Sequence, residues 1–320
     1  MTIAYLAPLS RAWERMKKDL FRPFDPGKWM VVGFTAFLAG LANSGLPRFS
    51  GNMSKAPGGN ISTRQIFDFP AIAIQWIREN PGWFLLIMLC MLFLTALYVL
   101  LTWVSSRGMF MFLDNVVNNR AEVTGPWRRY KELGNSLFLW RIFFSLICLV
   151  SMVFVVAIIF SPFAFGKGDN SFGTFFLIQA ICAGLLLMAI VLIAAYISLF
   201  LNSFVVPIMY KSNVTILQGW NQFIPLFRMY TLSFLLYGLF VLLLCFITAL
   251  AVFLAGCITC CIGYLLLIIP YLGSVILLPI LYTYRCFSLE FLGQFGPELS
   301  LLQDFSPQEI SGEHPDGTEY

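Results

Sequence analysis

"RGMFMFLDNVVNNRAEVTGPWRRYKELGNSLFLWR", Arg107–Arg141, is a polar and basic island in a chain otherwise dominated by apolar side chains. Within it Met109, Phe112, Leu113, Val116 and Val117 recur at i, i+3, i+4, i+7 and i+8, one continuous stripe on a helix. Gly125 and Pro126 break and restart the chain, proline being favourable at a first helical position. Trp127, Tyr130 and Leu133 follow at helical spacing, with Arg128, Arg129 and Lys131 beside them. The stretch therefore predicts a helix-turn-helix lid lying on a membrane surface, anchored by aromatic and basic residues. Asp114 and Glu122 fall on the solvent face of that lid, where no catalytic role is expected of them.

The membrane is implied by what surrounds the island. Hydrophobic residues make up 59% and charged residues 11% of the 320, which excludes a soluble domain. A hydrocarbon layer roughly 30 Å thick takes about 20 apolar residues to cross as a helix. Runs at 29–46, 83–104, 138–161, 175–201, 231–255 and 263–286 qualify. All should be helical, because a lipid-exposed backbone must satisfy its own hydrogen bonds. The fold class is thus an all-α polytopic membrane bundle of about six transmembrane helices with amphipathic interfacial helices. A basic arm (1–28) leads into the transmembrane domain (29–290), which carries lids at 105–137 and 203–230 and an outer loop at 47–82. Residues 291–320 form an acidic tail expected to be disordered.

Charge sets the expected orientation. With the N-terminus inside, fifteen of the twenty Lys and Arg face the cytoplasm and five (Arg48, Lys55, Arg64, Arg78, Lys167) face out. The positive-inside rule then puts both termini in the cytoplasm. The net charge of +4 is accordingly a reason to meet anionic headgroups and not nucleic acid. In the arm, Leu9, Trp13, Met16 and Leu20 share a helical face, with the bases largely off it, so the arm is expected to lie in the interface plane. Ala36, Gly40 and Ser44 would let a neighbouring helix approach the first span closely. Outside, residues 47–63 read as a flexible loop bearing glycosylation sequons at Asn52 and Asn60, and a short helix presents Phe69, Ile72, Ala73 and Trp76 to the outer surface.

A second lid lies 93 residues after the first. Trp103, Ser105, Val123, Trp127, Tyr130 and Leu133 line up with Tyr196, Ser198, Ile216, Trp220, Phe223 and Leu226, the pattern of a parallel internal repeat.

Catalytic chemistry finds little support. All sixteen acids, and essentially all the bases, fall outside the depth of the spans, which disfavours proton coupling. The one histidine is His314 in the tail, so neither a histidine base nor a His-containing metal site is expected. No phosphate-cradling glycine loop, zinc-protease motif or nucleophile elbow occurs. No cofactor or metal is expected. In the last span Pro270, Gly273, Ser274 and Pro279 mark a kinked helix, or an unwound one freeing carbonyls for a ligand. Five cysteines act as small apolar fillers; Cys257, Cys260 and Cys261 cluster at an outer turn, where they would form a disulfide, an inert turn or a redox pair.

The runs "DLFRPFDPGKWMVVGFTAFLAGL" (Asp19–Leu41) and "SSRGMFMFLDNVVNNRAEVTGPWRRYKELGNSLFLWR" (Ser105–Arg141) resemble an uncharacterised family of bacterial six-span membrane proteins, known only as a domain of unknown function. The second half, through the lid containing Trp220 and the span after it, looks more distantly like the membrane domain beside some glycerophosphodiester phosphodiesterases. The resemblance implies a bacterial inner membrane and carries no activity.

The leading expectation is a non-enzymatic protein that binds anionic lipid, or a membrane or cytoplasmic protein partner, through Arg107, Arg120, Trp127, Arg128, Arg129, Tyr130, Lys131, Trp220 and Arg228. The alternative is a permease for an apolar or lipid-like solute, its path lined by Asn43, Thr95, Gln179, Tyr196, Asn202 and Ser274. A remote third is an outer-face thiol oxidoreductase.

Overall fold

The structure, a computed structural model, describes residues 3–41, 75–165, 172–259, 263, 266–267 and 269–302. Asn43, Ser44, both sequons, Phe69, Ile72, Ala73, Cys260, Cys261 and His314 lie outside the described residues. Among the described residues every regular element is helical: α1 (Leu6–Phe21), α2 (Pro26–Gly40), α3 (Pro81–Val117), α4 (Thr124–Arg129), α5 (Lys131–Phe165), α6 (Phe172–Phe200), a π-turn (Leu201–Val205), α7 (Val206–Ser212), α8 (Ile216–Met229), α9 (Thr231–Ile258), α10 (Pro270–Ile276), α11 (Leu278–Gly293) and a 3₁₀ turn (Pro297–Leu299).

Four stretches are long and apolar enough to cross a membrane: Pro81–Val117, Lys131–Ile159, Ile178–Ser212 and Thr231–Ile258. Their apolar side chains, such as Leu92, Phe154, Ile193 and Phe246, are left uncovered. Surface of that extent is stable only against lipid. This is a multi-pass membrane protein.

The first and last expected spans look different. Within its described part α2 is short, and its buried residues lie from its middle onward. The run at 263–286 is not one helix: α10 ends at Leu277 and α11 begins with Pro279 in its first turn. A proline has no N–H to donate back, so it starts a helix more readily than it continues one. Once separated, α11 is buried on nearly every side, Tyr282, Cys286, Phe287 and Phe291 included.

The chain forms two compact units, one of Met1–Val32, Leu113–Ala121 and Asn202–Tyr320, the other of Gly33–Phe112 and Glu122–Leu201. In the first, α1 packs along α11. Its buried face is Ala12, Met16, Asp19 and Leu20, while Trp13 is 49% exposed. The expected apolar face is therefore rotated. Glu290 on α11 pairs with Arg15 (3.8 Å), which it draws inward, and with Arg11 (3.1 Å), which stays half exposed at the edge of the contact. Phe204, Phe223, Phe234, Tyr237 and Phe291 fill the core beside them, with ring centroids 4.6–6.0 Å apart. The start of the acidic tail is not a solvated appendage, since Lys211 donates to the carbonyl of Ser300 (2.7 Å).

In the second unit α2 meets α3 at Gly108. A Cβ there would stand 2.6 Å from the Leu38 Cβ and 2.7 Å from its backbone carbon. Ser105 adds a bond to the Ala39 carbonyl (2.8 Å). The residue that permits close approach is thus Gly108 and not Gly40, around which a Cβ would meet open space. α5 and α6 pack on each other, with Gln179 donating to the Ile158 carbonyl (2.5 Å).

Candidate functional site

The first lid begins where α3 ends. Residues 109–116 are buried on all sides, so the expected one-sided stripe is a core segment instead. Asp114 goes in with it, 5% exposed, and is not a solvent-face residue. Its carboxylate accepts from the Tyr210 hydroxyl (2.8 Å) and the Asn118 amide (2.9 Å), which offsets the cost of burying it. The chain then turns at Asn119, held at φ 51°, a conformation asparagine tolerates better than most residues.

Arg107 does not face outward. Its guanidinium lies 4.4 Å from the Trp103 ring centroid and 5.1 Å from that of Trp127, and donates to Asn135 Oδ1 (3.1 Å). Gly134 makes room for it: a Cβ there would meet the Arg107 Cγ at 2.7 Å. Arg141 reaches the hydroxyls of Ser105 (3.3 Å) and Ser106 (3.4 Å). Tyr130 stacks against Phe110 and carries Arg129 over its ring at 5.7 Å. Arg120, Arg128, Arg129 and Lys131 remain exposed. Of the expected contact residues in this lid, then, Arg107, Trp127 and Tyr130 build it and four bases line its surface.

The second lid, α7 to α8, turns at Asn213, also at φ 51°. A capping box at Thr215 and Gln218 starts α8, satisfying amides that a helix start leaves free. Gly219 lies close to Met209 and Val205, Phe223 is buried, and Trp220 meets Phe223 edge-on at 5.9 Å. Leu217, Met229 and Arg228 face outward. Just before this lid the π-turn at Leu201–Val205 leaves the Asn202 carbonyl for Arg285, which donates to it at 2.6 Å.

A polar cluster ties the arm to the same unit. Tyr282 donates to Asp19 Oδ2 (2.7 Å), and Lys28 donates to the Asp19 carbonyl (2.6 Å) and to Asn119 Oδ1 (2.5 Å). Burial pushes the Asp19 carboxyl above its ordinary pKa, against the opposing Tyr282 hydrogen bond and the charges of Arg15, Lys28 and Lys18.

The described permease residues are divided between the two units. Thr95 and Gln179 spend their side chains on backbone carbonyls, Tyr196 meets Phe200, and Asn202 and Ser274 belong to the other unit. Cys257 is a free, exposed thiol. Among the described residues no group of three His, Cys, Asp or Glu side chains is placed to hold a metal.

A family model of unknown function, DUF7544, matches residues 4–302. The chain belongs to that family. No curated protein and no solved structure matches it. The DUF7544 match spans both lids, the arm and α11, so the polar cluster and the cation–aromatic stack both lie within the family's own domain. Asp19, Asp114, Tyr210, Tyr282, Arg285 and Glu290 were not singled out from sequence as a cluster. The signal for Asp114 was its setting, an acid inside "MFMFLDNVV"; for the rest none is local, since their partners lie up to 279 residues away.

Proposed function

We propose that this DUF7544 member is a non-enzymatic protein of a bacterial inner membrane. It crosses six times with both termini in the cytoplasm and binds anionic phospholipid through its two lids. The observation that carries this reading is the sorting of bases in the first lid. Arg107 and Arg141 are consumed inside, while Arg120, Arg128, Arg129 and Lys131 stay exposed, and among the described residues none of these four is in an ion pair. Arg128, Arg129 and Lys131 stand at the start of the bare apolar length of α5, as Arg228 stands before that of α9. Bases at that height meet headgroup phosphates, each contributing about 1 kcal/mol near an anionic surface. The left-handed asparagine and the Trp-bearing helix common to both lids support their origin by duplication. The tyrosine breaks at Tyr130 and Tyr230 follow helices of 6 and 14 residues, so the second copy would carry an insertion.

The test is native mass spectrometry from nanodiscs of mixed phosphatidylcholine and phosphatidylglycerol. In Arg128→Glu/Arg129→Glu/Lys131→Glu the affinity for the anionic lipid should fall roughly 100-fold, following about 1 kcal/mol for each of the three bases lost. Unchanged retention would overturn the reading, and a protein retained in place of lipid would move it to a partner-binding role.

A further inference from the structure

We infer that the outer face of α1 is a second membrane contact, a strip that lies among the headgroups and glycerol backbones of the leaflet at which α2 enters. The rotation of α1 is set by α11. Glu290 holds Arg11 and Arg15, Ala4 and Gln294 exchange two hydrogen bonds of 3.0 Å, and Tyr5 stacks on Phe291 at 5.6 Å while donating to the Ser233 carbonyl. With that face occupied, Leu6 (73% exposed), Trp13 (49%) and Phe21 (46%) remain exposed, Phe21 beside Phe24 and Trp29. They recur with Lys17 at i, i+7, i+11 and i+15, which on a helix is one narrow strip.

Two observations name the occupant. The strip runs into the membrane entry itself: Phe21, Phe24 and Trp29 form an aromatic group with centroids 5.4–6.5 Å apart, and Pro26 opens α2. Aromatic side chains with one wet end are the residues that settle at a bilayer boundary. Lys17 within the strip pairs with Glu14 (2.6 Å), and Lys18 and Arg22 beside it leave the strip's border net cationic, as an anionic surface requires. The leaflet assignment, though not the contact, rests on the orientation proposed above.

Benzoylphenylalanine placed in the full-length protein at Trp13→p-benzoylphenylalanine and, separately, at Lys18→p-benzoylphenylalanine tests this in native membranes. Both positions are exposed and lie about 140° apart around the helix. Irradiation should add a phospholipid mass at position 13 and at least tenfold less at position 18. Equal lipid adducts at the two positions, or a protein adduct at 13, would overturn the proposal. The lid variants of the preceding test leave this readout untouched, so either reading can fail alone.

Discussion

The two lids share a path and differ in what holds them. Both leave a long helix, turn at an asparagine in the left-handed region, carry a tryptophan on a short helix and return through a second long apolar helix. The first is clamped by charge and aromatic faces, Arg107 between Trp103 and Trp127, with Tyr130 on Phe110. The second is clamped by burial, Phe223 among Phe204, Phe227 and Phe234. A cation–aromatic stack holds a lid while leaving neighbouring bases free for solvent or headgroups. A phenylalanine core holds it more firmly and presents less charge. The first lid accordingly exposes four bases and the second only Lys211 and Arg228.

If that contrast is right, Phe223→Ala should be the most damaging change in either lid. It empties a fully buried ring site and should cost about 3–5 kcal/mol, seen as a large loss of thermal stability in detergent. A loss no greater than that of Tyr130→Ala would break the comparison. Arg107→Lys comes next. Lysine keeps the charge but not the planar group that stacks on both indoles and reaches Asn135, so about 1 kcal/mol should go. Tryptophan fluorescence should shift with it, and an unshifted spectrum at unchanged stability would assign the lid's rigidity elsewhere.

The smallest effect sharpens the comparison through pH, in the first unit, which also holds the second lid. The Asp19 carboxyl has a folded pKa above its ordinary value of 3.8, so the folded state binds the proton more tightly than the unfolded chain. Its contribution to stability is fully present below the ordinary value and is lost as pH rises through the folded one. Acidification from neutrality through that window should therefore stabilise the native protein relative to Asp19→Asn, which lacks the group. Parallel melting-temperature profiles for the two proteins would show that the buried carboxyl does not titrate there.

Much of the architecture was legible because it depends on local quantities. Apolar runs of spanning length and the 3.6-residue period are properties of short windows, and they located four of the long helices and both lids, whereas the left-handed residues are Asn119 and Asn213 and the expected break at Gly125 lies inside α4. The broken last run was half legible: Pro270 and Pro279 marked the discontinuity, yet nothing nearby showed that α11 would be wrapped by α1 and the phenylalanine core. Amphipathicity misplaced α1 for a related reason. Arginines count as outward-facing in a helical wheel, and only Glu290, 275 positions beyond Arg15, reverses that.

The sequence alone determined that the chain is helical, that it lives in a membrane, and where its bases are concentrated, because composition and period are enough to decide which segments water rejects. Tertiary structure decided which of those bases remain available. Arg15, Arg107, Arg141 and Arg285 are drawn into contacts with Glu290, two tryptophans, two serines and a π-turn carbonyl. It also decided that Asp19 and Asp114 are buried. A buried charge is tolerated only where partners are supplied, and here those partners come from segments far apart in the chain.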